Sequence, residues 1–178
     1  MSRIEIKEPS QTSGSHAEIF SQINDAFGTV PNMFKVIGNS EVALESMWNS
    51  FGALAKGRLG AKLGEQIAVL VADINRCEYC LSAHTALGKK AGASDDEMRA
   101  AQSCESSDPR TQAALLFSRK IVQNRGAINS SDVDEVKAAG FNDEEVAEIL
   151  AHVAFNIFTN YTNVSFAVPL DFPKVNLR

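Results

Sequence analysis

The sequence is poor in cysteine, with three in 178 residues, and poor in proline, with five. Three cysteines make no disulfide framework, so the fold must rest on an apolar core. At 44% hydrophobic and 22% charged residues the composition is that of an ordinary globular chain, and a chain of this length can bury such a core without a staple. Long apolar runs are missing, and none approaches the ~20 residues of a membrane span. The first eight residues, Met1 to Glu8, are charged where a secretory signal would be apolar. Basic clusters are missing too: 17 Lys and Arg stand against 22 Asp and Glu, a formal net charge of −5. Such a balance reads against a nucleic-acid partner. The expectation is a single domain over 1–178, cytoplasmic, with no membrane partner. Strand signals are also lacking. No Val, Ile or Thr run alternates with polar residues, and no Asn-Gly or Asp-Gly hairpin turn occurs.

What is present is helical periodicity. A helix is expected from Ser15 to Phe27, a short one from Pro31 to Ile37, and one capped by Ser40 with Leu44, Met47, Trp48, Phe51 and Leu54 on one face. Others follow at Ala61–Asn75 and at Glu78–Ala91, the latter ended by Gly92. Ser94 and Glu97 have capping-box spacing, and Asp108-Pro109 is a helix start. Ser131 is expected to cap the next helix, which Gly140 ends, and Asn142 with Glu145 opens the last one. The Phe and Met residues of the N-terminal helices are assigned to core and subunit interface. Residues 65–72 resemble residues 144–151 at an offset of 79, which raises an internal helical duplication.

The chemistry concentrates in one stretch. Cys77, Cys80 and His84 stand at i, i+3 and i+7, a spacing that places them on one helical face. A helix N-terminus favours a thiolate, here at Cys77. His84, four residues after Cys80, is spaced to take its proton directly or through a water. Two thiols one turn apart can also close a disulfide, which completes the parts of a dithiol cycle. Alternatives stand beside this. The cysteines can be small core residues. Cys77, Cys80 and His84 can also be three of the four ligands of a structural zinc. Haem attachment is excluded because Leu81 occupies the histidine position of C-x-x-C-H.

Glu65, eleven residues, Cys77-x-x-Cys80, three residues and His84 together resemble the E-x11-C-x-x-C-x-x-x-H pattern of the alkylhydroperoxidase D-like (AhpD-like) family, within the carboxymuconolactone decarboxylase superfamily. The resemblance is strongest over residues 60–92. It implies an all-α AhpD-like helical bundle that assembles as a trimer or hexamer. It also implies a thiol peroxidase without cofactor or metal, taking a hydroperoxide as substrate and a dithiol protein or small molecule as reductant. By position, Cys80 is the attacking thiol, Cys77 the exposed resolving thiol, and Glu65 with His84 the proton relay. The helix-dipole argument alone favours Cys77 as the more acidic thiol, so the two readings differ on order. Glu65 has a plainer reading as a carboxylate in the first turn of a helix. Tyr79 stands where well-known members carry histidine, and it is no base near neutral pH. Two other functions are compatible with the superfamily: a lactone decarboxylase, and a redox-sensing oligomer that is not an enzyme.

Other residues are set apart. Cys104 lies in a polar connection without a basic neighbour in sequence and is read as incidental. His152, on an apolar helix, is read as a hydrogen-bonded core histidine. Asn156, Asn160 and Asn163 form a polar stripe facing either a partner helix or the site.

Overall fold

The computed structural model describes residues 1–178, folded as nine α-helices and one short 3-10 turn, with no strand. The helices are α1 (Gly14–Phe27), α2 (Asn32–Ile37), α3 (Glu41–Leu54), α4 (Ala61–Ile74), α5 (Glu78–Lys90), α6 (Asp95–Gln102), α7 (Pro109–Gln123), α8 (Ser130–Ala138) and α9 (Asp143–Phe166). No helix is long and apolar enough to cross a membrane.

Helix α4 is the axis. Nine of its residues, from Leu63 to Ala72, are buried, as expected of a helix that is apolar nearly all round. It packs against α5, α6, α7 and α9. Around it lies the larger core, which includes Ile67, Leu70, Leu81, Met98, Leu115 and Ile149. A smaller core joins α1, α2 and α3 through Phe20, Ile23, Phe34, Leu44 and Met47. Phe27, Trp48 and Phe155 pack on its edge, and Phe51 stacks on Trp48 at 5.6 Å. The N-terminal apolar residues are thus largely core. The large apolar side chains left exposed lie mostly on α9, at Leu150, Phe158, Tyr161 and Val164.

The expected caps form where a side chain can reach the free amides of the first turn. Ser40, Ser94, Asp108 and Asn142 each accept a backbone N–H three residues on. One expectation is corrected. Asn129, not Ser131, caps α8, and it forms a reciprocal capping box with Asp132. Asp132 N–H reaches the Asn129 side chain at 3.1 Å and Asn129 N–H reaches the Asp132 carboxylate at 2.9 Å, so the helix starts at Ser130.

The internal similarity does not extend to a structural repeat. Between α4 and α5 the chain breaks at residues 75–77, and at the offset of 79 the same positions fall inside the unbroken α9. Helices α4 and α9 pack on each other instead.

From Pro169 the chain runs extended across α4 and α5. Val175 donates its N–H to Ser82 Oγ at 3.0 Å, and Arg178 donates its N–H to Asp73 Oδ1 at 3.1 Å. Leu170, Phe172, Val175 and Leu177 pack on the larger core.

Candidate active site

The cysteine pair is set by the way α4 ends. Arg76 adopts φ +57°, the left-handed conformation that closes a helix. Arg76 N–H reaches Asp73 O at 3.1 Å and Cys77 N–H reaches Ala72 O at 2.9 Å, which is the Schellman pairing. Cys77 is therefore delivered as the N-cap of α5 rather than as a residue within it. Its sulfur accepts the Cys80 N–H at 3.2 Å. The sulfurs of Cys77 and Cys80 are in disulfide contact, with the Cα atoms 5.3 Å apart.

Both cysteines are buried, Cys77 at 1% exposure and Cys80 at 2%. This corrects the expectation of an exposed Cys77. The turn that positions it sinks its side chain into the larger core. Cys80 lines a cavity of about 40 Å³, whose wall includes Phe27, Phe34, Phe51, Phe155 and Phe172. His84 and Asn163 line it as well.

Glu65 and His84 come together across α4 and α5. His84 Nδ1 lies 2.7 Å from Glu65 Oε2, with both side chains largely covered. Held this way, Nδ1 is engaged by the carboxylate, while His84 borders the cavity. No hydrogen bond joins His84 to Cys80. The side-chain partner of the Cys80 sulfur is Asn163, whose Nδ2 donates to it at 3.1 Å. The polar stripe therefore faces the site: Asn156, Asn160 and Asn163 are all buried. Asn160 Oδ1 accepts from Asn75 Nδ2 at 3.0 Å, which ties α9 to the turn ahead of Cys77.

Glu65 and His84 also border a second cavity of about 220 Å³, with His152 and Asn156 on its far side. His152 lies against Gly64, where any Cβ would come within 2.9 Å of its ring. Burial pushes the His152 pKa below its ordinary 6.5, against the pull of the Glu65 and Glu148 carboxylates, with His84 adding slightly to the lowering.

Tyr79 is a structural donor and acceptor rather than a base. Its hydroxyl accepts the Met33 N–H at 3.2 Å and its ring meets Phe172 edge-on at 5.7 Å. Burial, then the Asp171 carboxylate, hold its phenol well above the ordinary tyrosine range. Asp171 Oδ2 in turn accepts the Asn32 N–H at 2.6 Å. Cys104 is buried, and burial pushes its thiol up while Arg119 draws it down. Its basic neighbour is one that sequence proximity does not reveal. No group of three His, Cys, Asp or Glu side chains is arranged to hold a metal ion.

Sequence reasoning gathered Glu65, Cys77, Cys80 and His84, and the fold brings all four together. It left the direction of the asparagine stripe open and missed the contribution of Asp171 and Phe172. The clue to Asn163 was its place in a polar row on an otherwise apolar helix. The tail residues carry no local pattern that marks them.

Fold and site together define an all-helical protein with a buried vicinal dithiol beside a carboxylate–imidazole pair. Residues 43–120, which span all four of these side chains, match the carboxymuconolactone decarboxylase family. An alkyl hydroperoxide reductase of Mycobacterium tuberculosis is 28% identical over 96 residues, a stretch that is 53% of this chain and 28% of that protein. The chain thus spans under a third of that relative's length. An alkylhydroperoxidase AhpD core, an uncharacterised peroxidase-related protein from Ralstonia eutropha JMP134, has the same fold. Its TM-score is 0.86 at 23% identity, covering 96% of this chain and 92% of that one. The debrominase Bmp8, solved in complex with 2,3,4-tribromopyrrole, gives a TM-score of 0.75 at 20% identity, covering 86% of this chain and 84% of that one. The chain thus carries a carboxymuconolactone decarboxylase family match over residues 43–120 and shares its fold with the AhpD core.

Proposed function

We propose that the chain is a thiol peroxidase that reduces organic hydroperoxides through a Cys77–Cys80 dithiol cycle. The observation that carries this reading is Cys80 in the wall of an aromatic cavity, in disulfide contact with Cys77 and one helical turn from an imidazole paired with Glu65. In the reduced protein the Cys80 thiolate attacks the terminal oxygen of the hydroperoxide. A sulfur–oxygen bond forms, the O–O bond breaks, and the alkoxide leaves as alcohol with a proton supplied by the His84–Glu65 pair. Cys77 thiolate then attacks the sulfenic acid at Cys80, forming the disulfide and expelling water. An external dithiol returns two electrons and two protons. The phenylalanine wall favours an alkyl or aryl hydroperoxide over hydrogen peroxide.

The test is consumption of tert-butyl hydroperoxide driven by dithiothreitol. With dithiothreitol the wild-type protein turns over and Cys80→Ser is inactive; without added thiol, Cys77→Ser consumes one equivalent and stalls at the sulfenic acid. Negligible turnover by the wild type would remove the peroxidase reading.

A second reading, reductive removal of bromide from an aromatic ring, draws on the same aromatic wall and on the likeness to Bmp8. The dithiol would supply the two electrons that replace C–Br with C–H. Bromide release from 2,3,4-tribromopyrrole under dithiothreitol separates it from the first.

A further inference from the structure

The two sulfurs of the site are held by different kinds of donor. Cys77 receives a backbone N–H from the first turn of α5, that of Cys80 itself, at 3.2 Å. Cys80 receives a side-chain N–H from another helix, that of Asn163, at 3.1 Å. Donation to a thiolate favours the charged form. The helix terminus therefore favours Cys77 as the reactive thiol, and Asn163 is the one side chain that acts in the opposite sense. The carboxamide does not titrate, so its donation is the same at every working pH.

The placement of Asn163 is costly in itself. The residue is 3% exposed, and its Oδ1 is buried without a donor. Unpaired buried carbonyls are rare and call for a reason. Its Oδ1 end holds nothing, and the tie of α9 to the turn ahead of Cys77 is made by Asn160 through Asn75. The sulfur is its only partner, and it borders the same cavity as Cys80.

We propose that Asn163 is a catalytic residue whose N–H stabilises the Cys80 thiolate, making Cys80 rather than Cys77 the first sulfur to react. The inference rests on the dithiol reading given above and adds the side chain that sets the order within the pair.

The test uses the fully reduced protein and limiting iodoacetamide across a pH series, with each alkylated cysteine quantified by peptide mass spectrometry. Alkylation consumes no peroxide, so a chain without peroxidase activity can still pass. In the wild type, Cys80 is expected to label first and at the lower pH. In Asn163→Ala, the pH midpoint of Cys80 labelling rises by about one unit and its rate at pH 7 falls about tenfold, the range of one hydrogen bond to a charged group. Cys77 changes less than about twofold. Asn163→Leu refills the space without a donor and gives the same shift, which separates lost donation from a cavity. Altered access alone would change the rate and leave the midpoint in place. Wild-type protein that labels first at Cys77, or variants whose Cys80 midpoint matches the wild type, would overturn the proposal.

Discussion

Gly64 sits on α4 directly below the ring of His152, and the absence of a side chain there is what lets α9 lie close to Glu65. Alanine at 64 gains roughly 1 kcal/mol of helix propensity, and overpacking against the ring costs roughly 2. Gly64→Ala should therefore lower stability by about 1 kcal/mol in urea unfolding. In a His152→Ala background the clash is gone, and the same change should stabilise by about 1 kcal/mol. His152 carries a second expectation. Its pKa is lowered in the fold by burial, so the unfolded chain takes up the proton first. Stability contributed by the neutral ring is complete above pH 6.5 and declines as pH falls below it. His152→Gln should flatten that decline in a series of thermal melts, whereas an unchanged slope would place its origin elsewhere. At Glu65, the change to Gln keeps the contact with His84 but removes the charge that balances an imidazolium. Peroxide turnover should fall about a hundredfold, the lower range for general acid–base catalysis.

At the scale of elements, the start and stop residues carry the fold. Asn142 caps α9 and forms a reciprocal box with Glu145. Asn142→Ala should cost about 1 kcal/mol, read as a lower urea midpoint at unchanged slope. These caps were legible in the sequence because they act within four residues. The break between α4 and α5 was legible only in outline. The stop at Asn75 and the start at Glu78 could be read, but the Gly-free run Asn75-Arg76-Cys77 gives no hint that Arg76 takes a left-handed backbone between them. The similarity of residues 65–72 to 144–151 misled for a related reason. Both stretches are apolar helical faces packed into one core, and that shared burial is enough to make them alike. The four candidate residues could be gathered because two turns of helix relate three of them, and only Glu65 needed a tertiary contact. Asn163 needed the whole of α9 to be docked before its partner could be seen.

The whole molecule is closed by its extended C-terminal segment. Gln102 Nε2 donates to Asn176 O at 3.1 Å and Lys174 pairs with Glu78 at 3.0 Å, while Phe172 forms part of the wall beside Cys80. Four partly buried apolar side chains, Leu170, Phe172, Val175 and Leu177, anchor the segment. Removing residues 170–178 should cost about 4 kcal/mol at roughly 1 kcal/mol per side chain, and should speed Cys80 alkylation by opening the site. An intact alkylation rate in the truncated chain would show that the segment does not shield the sulfur.

The seclusion of the sulfur pair has a consequence for traffic. Exchange with a disulfide needs the incoming thiol to reach a sulfur, and here Cys77 is buried in the core and Cys80 lies in a cavity walled by phenylalanines. On the proposed dithiol cycle, this burial sets a limit on bulk: a slender dithiol is expected to reset the pair faster than a globular reductant, unless the latter carries its thiols on a thin arm.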